Sequence, residues 1–103
     1  MSYLIDLWKR SVRLTDERLS HLESDHPEMK AQLPRITETL SAPDEVKRSN
    51  SDQQVELFYK LYAQTPVTTK FLCVVVKVLP GDNFIITAYY TDTIKKGELL
   101  WKK

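Results

Sequence analysis

The sequence predicts an α+β fold in which N-terminal helices pack on one face of an antiparallel sheet of three to four strands. Three observations lead to this class. The first part of the chain carries apolar residues at helical spacing, the second part carries three runs of β-forming residues, and a Pro-Gly-Asp-Asn turn joins two of those runs. A length of 103 residues suits a single domain covering 1–103.

The opening segment, residues 3–14, fits neither the helical nor the strand period, so an extended and a helical conformation both stay open. A helix start follows it. Thr15 and Asp16 are N-cap candidates, and Leu19 and Leu22 share one helix face. We therefore predict a short helix after Thr15.

A second, amphipathic helix is predicted further along the chain. It starts at residues 25–28, where a Pro suits the first turn and an Asp three residues before a Glu resembles a capping box. Apolar residues at spacings of four, three and four define its buried face: Met29, Leu33, Ile36 and Leu40. Pro34 lies inside this pattern and removes a backbone hydrogen bond, which predicts a kink or two abutting helical pieces.

Strands are predicted at Val55–Tyr62, Lys70–Leu79 and 83–91, and Glu45–Ser49 is a candidate for a shorter one. Residues 80–83 predict a tight hairpin, because Pro presets the turn and Gly, Asp and Asn tolerate positive φ. The run Lys70–Leu79 is apolar on both faces, which predicts a central strand. The sheet face that the helices leave free is the expected place for function.

Composition excludes several classes of protein. Fifteen Lys and Arg against fourteen Asp and Glu give a net charge of +1, so strong non-specific nucleic-acid binding is disfavoured, although residues 69–103 carry a net +3. One cysteine, Cys73, and two His argue against disulfides and a structural metal site. The chain has no Gly-rich phosphate loop, no membrane span and no signal peptide, so we expect a cytoplasmic protein without cofactor or metal.

A resemblance to a known family rests on the order of several short elements. In chain order they are His21 on a helix, His26-Pro27 before an amphipathic helix, Ala42-Pro43-Asp44-Glu45-Val46, Leu57-Phe58-Tyr59-Lys60, Phe71–Lys77, Ile86-Thr87-Ala88-Tyr89 and Lys95-Lys96-Gly97. Over residues 12–97 this order resembles phage-type members of the barnase, EndoU, colicin and RelE-like nuclease superfamily. The resemblance implies a small helix-plus-sheet fold and metal-independent RNA cleavage, often in toxins.

Such cleavage requires a base, an acid and cations for the charge that develops on phosphorus. His21 is the first candidate for proton transfer, since an unperturbed imidazole titrates near pH ~6.5. From the residues alone, a packing or capping role for His21 on its helix explains the residue equally well, and the resemblance favours catalysis. His26, directly before Pro27, is predicted to cap the second helix and is held in reserve.

Phosphate contacts are expected from Arg18, one turn before His21, and from Arg48 and Lys60 in the sheet region. For any one Lys or Arg, solvated surface charge is the ordinary alternative. That alternative is the interpretation for the C-terminal lysines, which would steer RNA without specific contacts: Lys95, Lys96, Lys102 and Lys103.

Thr87 and Tyr89 share one strand face, where they would donate to phosphate or stack on a base. We place Thr87 with His21, Arg48 and Lys60 in the predicted catalytic set, and Tyr89 with Arg18 in substrate binding. Glu56 is a reserve orienting or basic group. Core packing is the interpretation for Cys73 and for three tyrosines: Tyr59, Tyr62 and Tyr90.

The leading hypothesis is therefore an endoribonuclease-like toxin or phage-type nuclease module that cleaves mRNA or tRNA by acid–base transesterification. A protein antitoxin or immunity partner would then cover its active face. The alternative is a non-catalytic interaction module of the same fold, such as a toxin–antitoxin regulator. Convergence of the predicted residues in one cleft favours the nuclease, and a scattered set favours the module.

Overall fold

Seven strands form one mixed sheet in the computed structural model, which describes residues 2–103, with the strand order β1-β2-β6-β5-β4-β3-β7. The strands are β1 (Ser2–Ile5), β2 (Ser11–Leu14), β3 (Glu45–Ser49), β4 (Val55–Tyr62), β5 (Lys70–Leu79), β6 (Asp82–Thr91) and β7 (Gly97–Lys102). The predicted antiparallel sheet of three to four strands is wrong in strand number and because β2 pairs with β6 in parallel.

The N-terminal segment is a hairpin, so the chain does not begin with helices. β1 pairs antiparallel with β2, and the turn between them places Lys9 at a φ of 66°. The buried carboxylate of Asp6 holds this turn by accepting hydrogen bonds from the backbone N–H groups of Trp8 and Arg10 at 2.9 and 2.8 Å. Each strand has only four residues, which is too few to show a period in the sequence.

Two helices and a 3-10 turn link β2 to β3: α1 (Asp16–Asp25), the turn Pro27–Met29 and α2 (Leu33–Ser41). The predicted N-cap is confirmed, since the Thr15 side chain accepts a hydrogen bond from the Arg18 N–H at 3.1 Å. Pro34 lies in the first turn of α2, where its missing N–H costs nothing. The predicted start of this helix at residues 25–28 is wrong, because Pro27–Met29 is a separate 3-10 turn and α2 begins at Leu33. Ala31, between the two pieces, has a φ of 63°.

The central part of the sheet agrees closely with the strands predicted from the sequence. β4 and β5 have the predicted bounds, the candidate strand Glu45–Ser49 is β3, and β5 lies in the middle of the strand order. Pro80 and Gly81 form the turn between β5 and β6, whose nearest paired residues are Leu79 and Asp82. Gly81 has a φ of 74°, a conformation that favours glycine.

β7 was not predicted, because the charged residues of the C-terminal sequence hide a strand pattern. β7 pairs antiparallel with β3 at the sheet edge opposite β1. Gly97 permits this pairing, because a Cβ there would lie 2.2 Å from the carbonyl oxygen of Arg48. Since β5, β4 and β3 separate β6 from β7, the connecting residues 92–96 must cross the sheet, and we name them the crossover segment.

The two faces of the sheet carry different cores. The helix face is covered by α1, α2 and the 3-10 turn, and its fully buried side chains include Leu22, Ile36 and Phe58. The opposite side, named here the open face, has a smaller apolar cluster that includes Leu57, Tyr59 and Cys73. The crossover segment passes over this second cluster, because Ile94 packs against it.

Candidate functional site

A pocket of about 380 Å³ opens on the sheet face away from the helices. Its floor is apolar and comes from three strands, with Val55 and Leu57 on β4, Val75 on β5 and Ile86 on β6. Residues 49–52, at the end of β3 and in the loop after it, form one wall, and the end of the crossover segment forms another. This combination of an apolar floor and a polar rim is typical of a ligand site.

A β-bulge shapes this pocket. The register between β5 and β6 shifts at Val75 and Val76, because Thr87 pairs with Val75 while Ile85 pairs with Val76. Ile86 is the extra residue, and the bulge lets Ile86, Thr87 and Tyr89 all line the pocket. The two predicted residues Thr87 and Tyr89 thus belong to one site.

Beside the pocket, three aligned residues form a cross-strand row of Tyr59, Cys73 and Tyr89 on adjacent strands. The hydroxyl of Tyr59 accepts a hydrogen bond from the Lys95 backbone N–H at 3.1 Å, which anchors the crossover segment. Burial raises the pKa of the Cys73 thiol to about 11 and raises the pKa of both tyrosines. Burial and the raised pKa both disfavour attack by this thiol, and the contact of this row with the crossover segment positions the pocket wall.

Two basic side chains, those of His26 and Lys95, lie near the ring of Tyr89. Its ring lies 5.6 Å from the imidazole of His26, measured between ring centroids, and the Lys95 ammonium lies 6.0 Å from the ring centroid. His26 is placed there because it ends α1 and begins the 3-10 turn, with its backbone N–H donating to the Leu22 carbonyl at 2.8 Å. His26 thus occupies the predicted capping position, although its side chain makes no capping hydrogen bond, and its ring lies against Tyr89, a residue that lines the pocket.

The pocket rim carries positive charge. Lys95 and Lys96 are exposed, and no ion pair within residues 2–103 joins either ammonium to a carboxylate. The Asn50 side chain donates to the Lys96 carbonyl at 3.2 Å, which ties the two walls together. Asp52 is already engaged, since its Oδ2 accepts a hydrogen bond from Lys77 Nζ at 2.6 Å.

Two predicted residues, Arg18 and His21, lie elsewhere on the exposed surface of α1. They line a separate depression with Thr15 and Glu17, and this depression has no residue in common with the open-face pocket. Nε2 of His21 is 3.7 Å from the Glu17 carboxylate, an exposed i, i+4 contact. Helical spacing thus brings Arg18 and His21 together, but not to Thr87 or Tyr89.

Arg48 and Lys60 are engaged in contacts within the fold. Arg48 Nη1 donates to Glu98 Oε1 at 2.8 Å, across the β3–β7 pair. Lys60 Nζ donates to the Ala42 carbonyl at 2.9 Å, at the C-terminal end of α2. A lysine at that end stabilises the helix, because unpaired carbonyl groups and the helix dipole attract a cation there.

Glu56 faces the helix side of the sheet, away from the pocket. Its buried carboxylate accepts a hydrogen bond from Arg10 Nη2 at 2.5 Å, and Arg10 Nε donates to Asp6 Oδ2 at 2.7 Å. The carboxylate therefore fastens the β1–β2 turn to β4. Among residues 2–103 its side-chain hydrogen bonds go to Arg10 and not to His21, the group it was expected to orient.

Comparison with protein-family models, with curated proteins and with solved structures found no match. The nuclease resemblance therefore stays a hypothesis, and the function has to be inferred from the geometry of the pocket. Within residues 2–103, no group of three or more His, Cys, Asp or Glu side chains is arranged to hold a metal ion. No helix in the same range has the length and apolar character needed to cross a membrane.

Lys95 and Lys96 are the residues whose place in a site the sequence interpretation missed. The sequence interpretation treats them as ordinary solvated lysines, because the short segment between β6 and β7 has no periodic pattern. The charge surplus of residues 69–103 was the signal that pointed to them. Only the strand order shows that this segment crosses the sheet beside Thr87 and Tyr89.

Proposed function

We propose that this chain binds unpaired RNA and holds one nucleotide in the open-face pocket. The supporting observation is the composition of that pocket, where Tyr89 and an apolar floor lie beside two lysines that pair with no carboxylate in the described part of the chain, residues 2–103. A nucleotide has the same division of chemistry, with a planar base, a hydroxylated sugar and a charged phosphate. Unpaired bases are bound by aromatic and apolar surfaces, and their phosphates by nearby cations.

Each part of the pocket has a role in this proposal. The base lies against Tyr89 and the apolar floor, and the phosphate is bound by the ammonium groups of Lys95 and Lys96. The hydroxyl of Thr87 hydrogen-bonds the sugar, whose 2′-hydroxyl is both a donor and an acceptor.

The size of the pocket favours a single unpaired nucleotide over a duplex. Its volume of about 380 Å³ lies within the range of roughly 300–1,000 Å³ that is typical of small-ligand sites. A base inside a duplex is stacked on both sides and has no free ring face to offer. The bound RNA is therefore a single strand, a loop or an end.

RNA cleavage is a second proposal, which one observation favours. The imidazole of His26 lies 5.6 Å from the ring of Tyr89, which lines the pocket. In this version the His26 imidazole accepts the proton of the RNA 2′-hydroxyl as that oxygen attacks phosphorus, the bond from phosphorus to the 5′-oxygen breaks, and the leaving 5′-oxygen takes a proton from water. The two pocket lysines stabilise charge on the phosphate, while Arg18 and His21 take no part. Binding does not depend on this step.

The binding proposal is tested by fluorescence anisotropy with a labelled single-stranded RNA octamer. The variant Lys95→Ala/Lys96→Ala should lower its affinity by at least about tenfold, because each lysine is a phosphate contact. The matched control is Lys102→Ala/Lys103→Ala, which removes the same charge at the C-terminal end of the chain. Equal losses in the two variants would mean that net charge, and not the pocket, attracts RNA.

Cleavage is tested by incubating the same octamer with the wild-type chain and with His26→Ala and His21→Ala. Fragments with 2′,3′-cyclic phosphate ends that disappear only with His26→Ala support proton transfer by His26. Loss with His21→Ala alone would contradict it. Intact RNA together with measurable binding leaves a non-catalytic RNA-binding module.

A further inference from the structure

A row of aromatic and basic side chains crosses the open face beyond the pocket. Strand pairing aligns Tyr3 on β1 with Arg13 on β2, Arg13 with Phe84 on β6, and Phe84 with Lys77 on β5. Leu4 and Val12, the neighbours of Tyr3 and Arg13 in the chain, pack in the helix-face core. Because side chains alternate along a strand, Tyr3 and Arg13 project on the opposite, open side.

The outer part of this row is accessible to a ligand. Tyr3 is 65% exposed, and Phe84 is half-buried. The Arg13 guanidinium lies 5.4 Å from the centroid of the Phe84 ring. Arg13 is held there by Asp82, whose two carboxylate oxygens accept hydrogen bonds from Nη2 and Nε at 3.0 and 3.4 Å. Asp82 therefore holds the guanidinium near the Phe84 ring, and strand pairing aligns the exposed Tyr3 with Arg13; we name these three side chains the stacking track.

The track is continuous with the pocket. Phe84 and Thr87 are three residues apart on β6, a distance of about 10 Å at ~3.3 Å per residue. Ile86, which lines the pocket floor, lies between them. The crossover segment packs on the cluster around Tyr59 and Cys73, so it leaves this end of the open face uncovered.

We propose that the stacking track of Tyr3, Arg13 and Phe84 binds the bases of a single RNA strand that runs on from the nucleotide in the pocket. This inference rests on the proposed function and adds the path of the strand and a binding length of more than one nucleotide. Aromatic rings and guanidinium planes both stack on bases of any sequence. Track recognition is therefore tolerant of sequence.

The charge balance distinguishes this track from the pocket. Asp82 pairs with Arg13, and Asp52 pairs with Lys77, so the row has no unpaired positive charge. Its contribution to affinity comes from stacking, which depends weakly on salt, whereas the two pocket lysines contribute a salt-dependent attraction. An increase in affinity with RNA length that salt does not abolish is the signature of the track.

The experiment compares a nucleoside monophosphate with RNA oligomers of two, four and eight nucleotides, using calorimetry or competition for the labelled octamer. For the wild-type chain we expect the octamer to bind at least about tenfold more tightly than the mononucleotide. The variants Tyr3→Ala and Phe84→Leu should each weaken the octamer by about 5- to 100-fold, the effect of losing one base–aromatic stack. Neither variant should change the affinity for the mononucleotide.

Two further variants keep the test interpretable. Tyr3→Phe retains the ring and should bind the octamer as the wild type does, while Leu99→Ala removes an exposed apolar side chain from β7 at the other sheet edge and should have no effect. Light scattering of the free protein checks the competing use of the same surface. If the wild type were a dimer and Tyr3→Ala a monomer, the exposed β1 edge would serve self-association, and the track would be overturned.

The outcomes separate the two proposals. Equal affinity of the wild type for the mononucleotide and the octamer would overturn the track and leave the pocket intact. The track would also be overturned if the extra affinity for the octamer were lost in Lys95→Ala/Lys96→Ala but kept in Phe84→Leu. Absence of binding by every oligomer and by the mononucleotide would overturn the proposed function, and the track with it.

Discussion

Arg10 Nη2 lies 2.5 Å from Oε1 of Glu56, a contact that joins the β1–β2 turn to β4 on the helix face. Glu56 is buried, and so is Asp6, which accepts from Nε of the same guanidinium. Burial alone would lower the pKa of Arg10, but the hydrogen bonds to Glu56 and Asp6 outweigh it and raise the pKa. One cation therefore neutralises two carboxylates that the fold keeps from water.

Replacement of this cation should be costly. Arg10→Ala leaves two buried carboxylates unpaired, and we expect a loss of about 3 kcal/mol in the free energy of unfolding, measured by urea denaturation. The matched control is Arg48→Ala, which breaks the exposed pair with Glu98 and should cost about 0–1 kcal/mol. Similar losses in the two variants would contradict a special role for the Arg10 contact.

The ion pair of Asp52 with Lys77 predicts a dependence of stability on pH. The hydrogen bond from Lys77, with a second from the Gln54 N–H, lowers the pKa of Asp52 below its usual value. Its contribution to stability is therefore fully present above the unfolded-state pKa of about 3.9 and is lost as the pH falls through the lower, folded-state pKa.

Urea denaturation of the wild type and of Asp52→Asn across acidic and neutral pH measures this effect. The difference in unfolding free energy between the two should be constant near neutrality and shrink below about pH 4. A difference that persists unchanged at the lowest pH would mean that Asp52 acts through the hydrogen bonds of its loop and not through its charge.

Cys73 should be unreactive in the folded protein. The thiol is fully buried and its pKa is raised to about 11, so thiolate is scarce at pH 8 and the reagent has no access. A thiol-specific chromogenic reagent should label the native chain only on the timescale of unfolding, and label it at once in concentrated urea. Immediate labelling without urea would show that the crossover segment opens readily.

RNA binding should have a shallow salt dependence. For single strands the slope of log affinity against log salt is about −0.7 per phosphate neutralised, so two pocket lysines predict about −1.4. The slope should approach zero in Lys95→Ala/Lys96→Ala and stay unchanged in Phe84→Leu. A slope of about −3 or steeper in the wild type would indicate contacts from cations outside the pocket.

Several elements followed from local sequence. The helix cap at Thr15, the turn at Pro80 and Gly81, and the bounds of β4 and β5 are set by capping chemistry, backbone preference and alternation within one segment. These determinants act over a few residues, so the sequence shows them directly. The same holds for the shared strand face of Thr87 and Tyr89.

The order of the strands did not follow from the sequence. β1, β2 and β7 are short and lack a clear period, and β2 joins the sheet through only two parallel pairs with β6. Their places depend on contacts between distant segments, such as Arg10 with Glu56 and Gly97 with Arg48. The two partners of such a contact are far apart in the chain, so a local sequence pattern cannot show both of them.

The sequence by itself determined local elements: helical segments, a central hairpin and a sheet face left open by the helices. The predicted class, N-terminal helices on an antiparallel sheet of three to four strands, was wrong. Only the tertiary structure decided which side chains meet on that face. His21, Arg48 and Lys60 lie apart from it, while the crossover segment brings Lys95 and Lys96 beside Thr87 and Tyr89. The physical reason is that a site is an arrangement in space, and side-chain proximity across strands is fixed by their pairing order rather than by distance along the chain.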